Sequence, residues 1–192
     1  MFSRSFAIIL LSTAVILVWL TFPVFVAASE FRERFATVDP PGPLPPIHFQ
    51  DAEGRDLKLE DFRGHYVLLN LWATWCGPCI KELPSLDELS KAFSFNNGAH
   101  DIKGPHPDLT VVALAEDRDG LIAIQSFYQR HNISHLPVYL DDTGRMPFLL
   151  HTRALPTTIL INPQGKEIGR IMGDADWSTP SVVAFLLSKM SD

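Results

Sequence analysis

Cys76 and Cys79 are the two cysteines of the chain, separated by two residues in the run WATWCGPCIKELP (Trp72–Pro84). Thiols at that spacing can cross-link, bind a metal or exchange electrons. A cross-link closing so short a loop takes little entropy from the unfolded chain. Zinc asks for four ligands, and there is no second C-x-x-C. None of the seven histidines lies within ten residues of the pair. His100 and His106, with Asp101 and Asp108, read as a solvated loop. Cu(I), which accepts two thiolates alone, stays open. Redox chemistry has the fullest account. An apolar strand ending at Trp72 delivers Cys76 to the start of a helix. Unpaired amides and the positive end of the macrodipole favour a thiolate there. Cys76 is then the nucleophile, and Cys79, one turn on along the same face, is the resolving thiol. Attack by Cys76 on a substrate disulfide gives a mixed disulfide, which Cys79 resolves. Gly77 and Pro78 form the helix N-terminus, where the missing N–H of Pro78 costs nothing.

The elements that must hold this pair follow from the apolar spacing. HYVLLNLW (His65–Trp72) is a nearly continuous apolar run and reads as a central strand buried on both faces. GPCIKELPSLDELSKAF reads as a helix, with Ile80, Leu83, Leu86, Leu89 and Phe93 on one side and Pro84 bending it. IHFQDAEGRDLKL reads as an N-terminal β-hairpin. LTVVALAED is a second buried strand, followed by a helix GLIAIQSFYQRHNI with Asp119 as its cap. LPVYLD is a short strand, TGRMPFLLHTRA a short helix, and PTTILINPQGKEIGRIMG a hairpin turning at Asn162–Gly165. Ser178 or Thr179 caps the last helix, with Pro180 in its first turn. Strand–helix alternation predicts an α/β domain with a mixed, mainly parallel central sheet flanked by helices.

The chain has 192 residues, room for one domain and a leader. Its net charge of −6 argues against nucleic acid, whose binders need basic patches. Ala7–Ala28 is an apolar run of 22 residues without a charge. That suits a membrane-spanning helix better than the shorter core of a cleaved signal. Residues 1–28 are therefore expected to be a signal-anchor transmembrane segment, with cleavage after Ala28 as the alternative. Residues 29–43 read as a Pro-rich linker, because five prolines fall between Asp39 and Ile47. Residues 44–192 are the expected globular domain, exported from the cytoplasm to where disulfides form.

WCGPC after an apolar strand resembles the thioredoxin superfamily. The anchor, DAEGRDLKLEDFRGHYVLLNLWATWCGPCIKELPSL and the later LPTTILINPQGKEIGRIMG together resemble the membrane-anchored TlpA/ResA-like thiol-disulfide oxidoreductases. The resemblance covers roughly residues 44–190. It implies a thioredoxin-like fold and a redox-active disulfide between Cys76 and Cys79, with no metal and no further cofactor. It implies that Trp75 packs beside the pair and that Pro156 is a cis-proline facing the disulfide. The backbone at Leu155 would pair with substrate as an added strand. Glu82 matches an acid near the site, able to shuttle a proton or raise the thiol pKa values. The other readings are a core position for Trp75 and an exposed helix position for Glu82. Asn70 stands where thioredoxin has a buried Asp, so Glu82 is the base if one is needed.

Gly-Pro between the cysteines matches thioredoxin, a reductant at about −270 mV against about −120 mV for the oxidant DsbA. The expected function is reduction of specific protein disulfides. The alternatives are an oxidase or isomerase on the same fold, or a Cu(I) chaperone using the same dithiol. The resemblance implies a bacterial inner-membrane protein with its catalytic domain on the outer face. Its partners would be a membrane electron transporter and oxidised cysteine pairs of apocytochrome c or of copper sites in respiratory oxidase assembly.

Overall fold

A computed structural model describes residues 30–93 and 108–191. The chain divides into two compact units, Met1–Arg34 and Phe35–Asp192. In the first, residues 30–34 are helical. The apolar run Ala7–Ala28 and the His100–His106 loop lie outside the described residues. Among the described residues no helix is long and apolar enough to cross a membrane.

The second unit contains β1 (Ala36–Pro43), β2 (His48–Asp51), β3 (Asp56–Lys58), a 3-10 turn (Leu59–Phe62), β4 (Tyr66–Trp72), α1 (Gly77–Phe93), β5 (Leu109–Ala115), α2 (Gly120–His131), β6 (Tyr139–Leu140), α3 (Met146–Leu149), β7 (Thr157–Ile161), β8 (Lys166–Met172) and α4 (Pro180–Met190). One sheet of order β1-β8-β7-β4-β5-β6-β2-β3 joins the strands. Among the described residues, pairing is parallel only for β4–β5 and β5–β6. The expected mainly parallel sheet is therefore corrected to a mixed, mainly antiparallel one. The two hairpins and β1 add antiparallel strands on both sides of a short parallel centre.

Strand β4 sorts the layers, because successive side chains point to opposite faces. Val67, Leu69 and Leu71 enter a core cluster with Ile47, Phe49, Leu59, Met146 and Leu150, beneath the hairpin and α3. On the other face, the Tyr66 hydroxyl donates to the Met190 carbonyl of α4 at 2.7 Å. Asn70 reaches Glu82 of α1. Trp72 stacks on Tyr128 of α2 at 5.7 Å between ring centroids. Three helices thus cover one face, and a hairpin with a short helix covers the other.

The expected linker 29–43 is corrected as well. Residues 36–43 form an edge strand against β8, so the folded unit starts at Phe35 rather than Leu44. An edge strand bonds on one side only, and its register slips between Thr37 and Gly42. Pro40 and Pro41 fall in that slip, where their missing N–H groups break no ladder. The Asp39–Pro40 bond is cis. Asp119 does not cap α2: its backbone is already helical and its side chain makes no cap bond. At α4 the cap residue is Thr179 by backbone alone, while Ser178 bonds Asp176. The β7–β8 turn is as expected, with Gly165 at φ 78° and its N–H on the Asn162 carbonyl.

Candidate active site

Cys76 and Cys79 are joined in a disulfide, with Cα atoms 5.2 Å apart. The pair sits at the mouth of α1, whose first residue is Gly77. Strand β4 ends at Trp72, and the Cys76 N–H returns to the Ala73 carbonyl at 3.1 Å. The Cys76 sulfur takes the place of a capping oxygen, accepting from the Cys79 N–H at 3.3 Å. A thiolate at Cys76 would keep that donor and the field of a 17-residue helix. Cys76 retains 6% exposure and Cys79 none, so an incoming thiolate reaches Cys76 first. Gly77 and Pro78 are exposed beside it.

Glu82 lies one turn beyond Cys79 on α1 and is buried, at 2% exposure. An exposed helix position is therefore excluded. Asn70 Nδ2 donates to Glu82 Oε1 at 2.8 Å. Trp177 Nε1 and the Ala175 N–H both donate to Oε2 at 3.1 Å. Burial pushes this carboxyl up to about 7; the three donors oppose the shift and the Asp174 charge adds to it. A group at about 7 is half protonated near neutrality, as a proton carrier must be. Asn70, the residue in place of a buried Asp, thus acts on the acid rather than as one.

Trp75, next in sequence to Cys76, is 70% exposed, which excludes a core position. The Leu155–Pro156 bond is cis. Thr157 pairs with Leu71 and Thr158 with Asn70, so Pro156 falls at the end of β4 from which Cys76 emerges. Pro156 is buried, and its carbonyl accepts from the Gly173 N–H at 2.9 Å. Leu155 is half-buried against the core cluster. Helix α1 runs unbroken through Pro84.

Three contributors had no signal in the sequence. Trp177 is an isolated indole in the loop before α4. Asp117 accepts from the Thr74 N–H at 3.0 Å and from the Thr74 hydroxyl at 2.5 Å, fixing the turn into Cys76. Glu116 donates its own N–H to the Trp72 carbonyl at 2.9 Å, while its buried carboxyl oxygens have no well-formed hydrogen bond among the described residues and lie beside the Asp141 carboxyl. Burial, then the charge of Asp141 and a side-chain hydrogen bond shared with it, then the charge of Asp117, push that carboxyl up to about 9. Among the described residues, no group of three or more His, Cys, Asp or Glu side chains is arranged to hold a metal ion.

A disulfide on a helix N-terminus at the end of a central strand, with Pro156 at the same end of the sheet, is the arrangement of a thioredoxin-like α/β protein. The chain belongs to the AhpC/TSA family, whose model matches residues 42–167. The thiol-disulfide oxidoreductase ResA of Bacillus thuringiensis subsp. konkukian is 33% identical over 124 residues, 65% of this chain and 64% of that protein. The chain thus spans just under two thirds of that relative's length. ResA of Geobacillus thermodenitrificans is 30% identical over 139 residues, 72% of each chain. The fold matches a secreted thiol-disulfide isomerase from Corynebacterium glutamicum at TM-score 0.64 and 20% identity, over 83% of this chain and 93% of that one.

Proposed function

We propose that this chain is a thiol-disulfide oxidoreductase working as a reductant of specific protein disulfides. The observation that carries the reading is the layered pair. Cys76 is slightly exposed on a helix N-terminus, Cys79 is fully buried, and Glu82 lies one turn further in. In the dithiol form, the Cys76 thiolate attacks one sulfur of the substrate disulfide. The first substrate thiolate leaves, and a mixed disulfide forms. Glu82 takes the Cys79 proton, directly or through water. The Cys79 thiolate then attacks the Cys76 sulfur, forming the internal disulfide and expelling the second substrate thiolate. Two electrons pass to substrate, and two protons complete its thiols. Trp75 and the backbone at Leu155 receive the substrate chain as an added strand. The redox group is the Cys76–Cys79 pair itself, with no metal and no other cofactor.

The wider setting belongs to the same proposal. The apolar run Ala7–Ala28 would tether the domain to the outer face of a bacterial inner membrane. Electrons would arrive from a membrane transporter. The substrates would be oxidised cysteine pairs awaiting a cofactor, in apocytochrome c or at copper sites of respiratory oxidase assembly.

The test is the reduction potential, followed by trapping with Cys79→Ser. A potential near or below that of thioredoxin, about −270 mV, supports a reductant. A value near −120 mV, typical of DsbA-type oxidants, reverses the direction of electron flow. Cys79→Ser should accumulate mixed disulfides through Cys76. Recovery of none would sink the assignment of Cys76 as nucleophile.

A further inference from the structure

The arrangement around Glu82 poses a hydrogen-bonding problem with one local solution. A carboxylate only accepts, whereas a carboxylic acid must also donate. Oε2 of Glu82 faces the indole N–H of Trp177 and the amide of Ala175, two donors without an acceptor site. A proton on Oε2 would point at N–H groups, so in the acid form it sits on Oε1. Oε1 also faces a donor, Asn70 Nδ2, at 2.8 Å. The missing acceptor is on the same carboxamide. Asn70 is fully buried, and its Oδ1 has no hydrogen-bond partner among the described residues.

We infer that the Asn70 carboxamide turns over with the protonation of Glu82, donating through Nδ2 to the carboxylate and accepting through Oδ1 from the acid. A half-turn about the terminal side-chain bond exchanges Nδ2 and Oδ1, and that torsion is soft and roughly two-fold in asparagine. It puts Oδ1 where Nδ2 now stands, beside Glu82 Oε1 and beside the Thr158 hydroxyl, which now accepts from Nδ2 at 2.9 Å. A hydroxyl both accepts and donates, so Thr158 turns its proton onto Oδ1 and remains bonded. The pivot is firm: Asn70 and Thr158 are register partners on β4 and β7.

The surroundings leave this role to Asn70. From α1, Glu82 shares its face with Cys79. From the loop before α4 it meets Ala175, Trp177 and the charge of Asp174, itself paired with Lys81 at 2.7 Å. The hydrogen-bonding groups from the sheet are Asn70 and Thr158. An aspartate at position 70 would only accept when ionised and would add a charge. Asparagine serves both forms of Glu82 at constant charge, which suits a residue that loads and unloads a proton in each cycle. This inference rests on the reading of Glu82 as the proton carrier.

The test uses the full chain in its disulfide form, labelled with 13C and 15N. The Glu82 carboxyl carbon is followed from about pH 4.5 to 9.5 together with NOEs from the Asn70 side-chain amide protons to the Thr158 methyl group and the Glu82 γ-protons. Above the Glu82 midpoint these NOEs are expected to be strong. Below it they fall by more than half, with the same midpoint as the carbon. NOEs that persist at full strength while Glu82 titrates overturn the inference alone. A Glu82 carbon that does not titrate overturns the carrier reading and the inference with it.

Discussion

The indole N–H of Trp177 donates to Glu82 Oε2 at 3.1 Å across 95 residues of sequence, so the acid beneath the disulfide is held by the loop before the last helix. The Ala175 backbone N–H bonds the same oxygen at 3.1 Å, and the Trp177 backbone N–H donates to Ser85 Oγ at 3.0 Å. The acid strength of Glu82 is thus set jointly by α1, β4 and a distant loop.

Glu82→Gln removes the titratable group and keeps its shape. The resolving step, attack by Cys79 on the mixed disulfide, should slow by about 10²-fold, the lower end for loss of a general acid or base. The rate–pH curve should lose its inflection near pH 7. Stopped-flow reduction of a small disulfide across pH checks this, and an unchanged curve would falsify the role.

The same group makes stability depend on pH. Its folded value of about 7 lies above the ordinary 4.5, so between the two the folded protein holds more protons than the unfolded chain. Stability therefore falls as pH rises through that window. At roughly 1.4 kcal/mol per unit, Glu82 alone accounts for about 3 kcal/mol. Glu116, raised to about 9, extends the decline to more alkaline pH. Denaturant unfolding of Glu82→Gln and Glu116→Gln should each show a flatter stability–pH profile than the parent. Parallel profiles would mean that these carboxyls are ionised in the fold.

Asp117 accepts twice from Thr74, two residues before Cys76. Asp117→Ala leaves those donors without the carboxylate and should cost about 1–3 kcal/mol. It should also change the alkylation rate of reduced Cys76, because the turn that aims this thiol is released. Thr74→Val, which removes only the hydroxyl bond, should have the smaller effect. Equal alkylation rates in parent and variants would limit Asp117 to a stabilising role.

Gly169 of β8 lies under the edge strand. A Cβ there would stand 2.6 Å from the Ala36 carbonyl oxygen and collide with the ring of Phe35. Gly169→Ala should destabilise by about 1–3 kcal/mol, typical of overpacking, with the loss centred on the β1–β8 pairing. Hydrogen exchange should show early release of the Ala36 and Thr37 amides. Unaltered protection would mean that β1 yields without cost.

The parts legible in the sequence are those with local signals. Helix α1 begins and ends where its Gly-Pro start and apolar spacing put it, and the β7–β8 turn follows from Asn162 and Gly165. What escaped depends on partners far along the chain. Proline density at 40–46 reads as a spacer, because sequence does not reveal that an edge strand uses one side of its backbone. Trp75 beside two cysteines fits a core equally well, and only the fold shows it exposed. The burial of Glu82 depends on Asn70 and Trp177, 12 and 95 residues away. Alternation of strands and helices points to a parallel sheet but says little about hairpins added at the sheet edges, and here those hairpins make most pairings antiparallel.

The exposed indole of Trp75 also has an optical consequence. Disulfides quench excited indoles at short range, and dithiols do so far less. Trp75 adjoins Cys76 in sequence and faces solvent, whereas Trp72 and Trp177 are fully buried. Emission from the Trp75 ring is therefore expected to rise when the Cys76–Cys79 disulfide is reduced, which would make electron loading readable without any added dye.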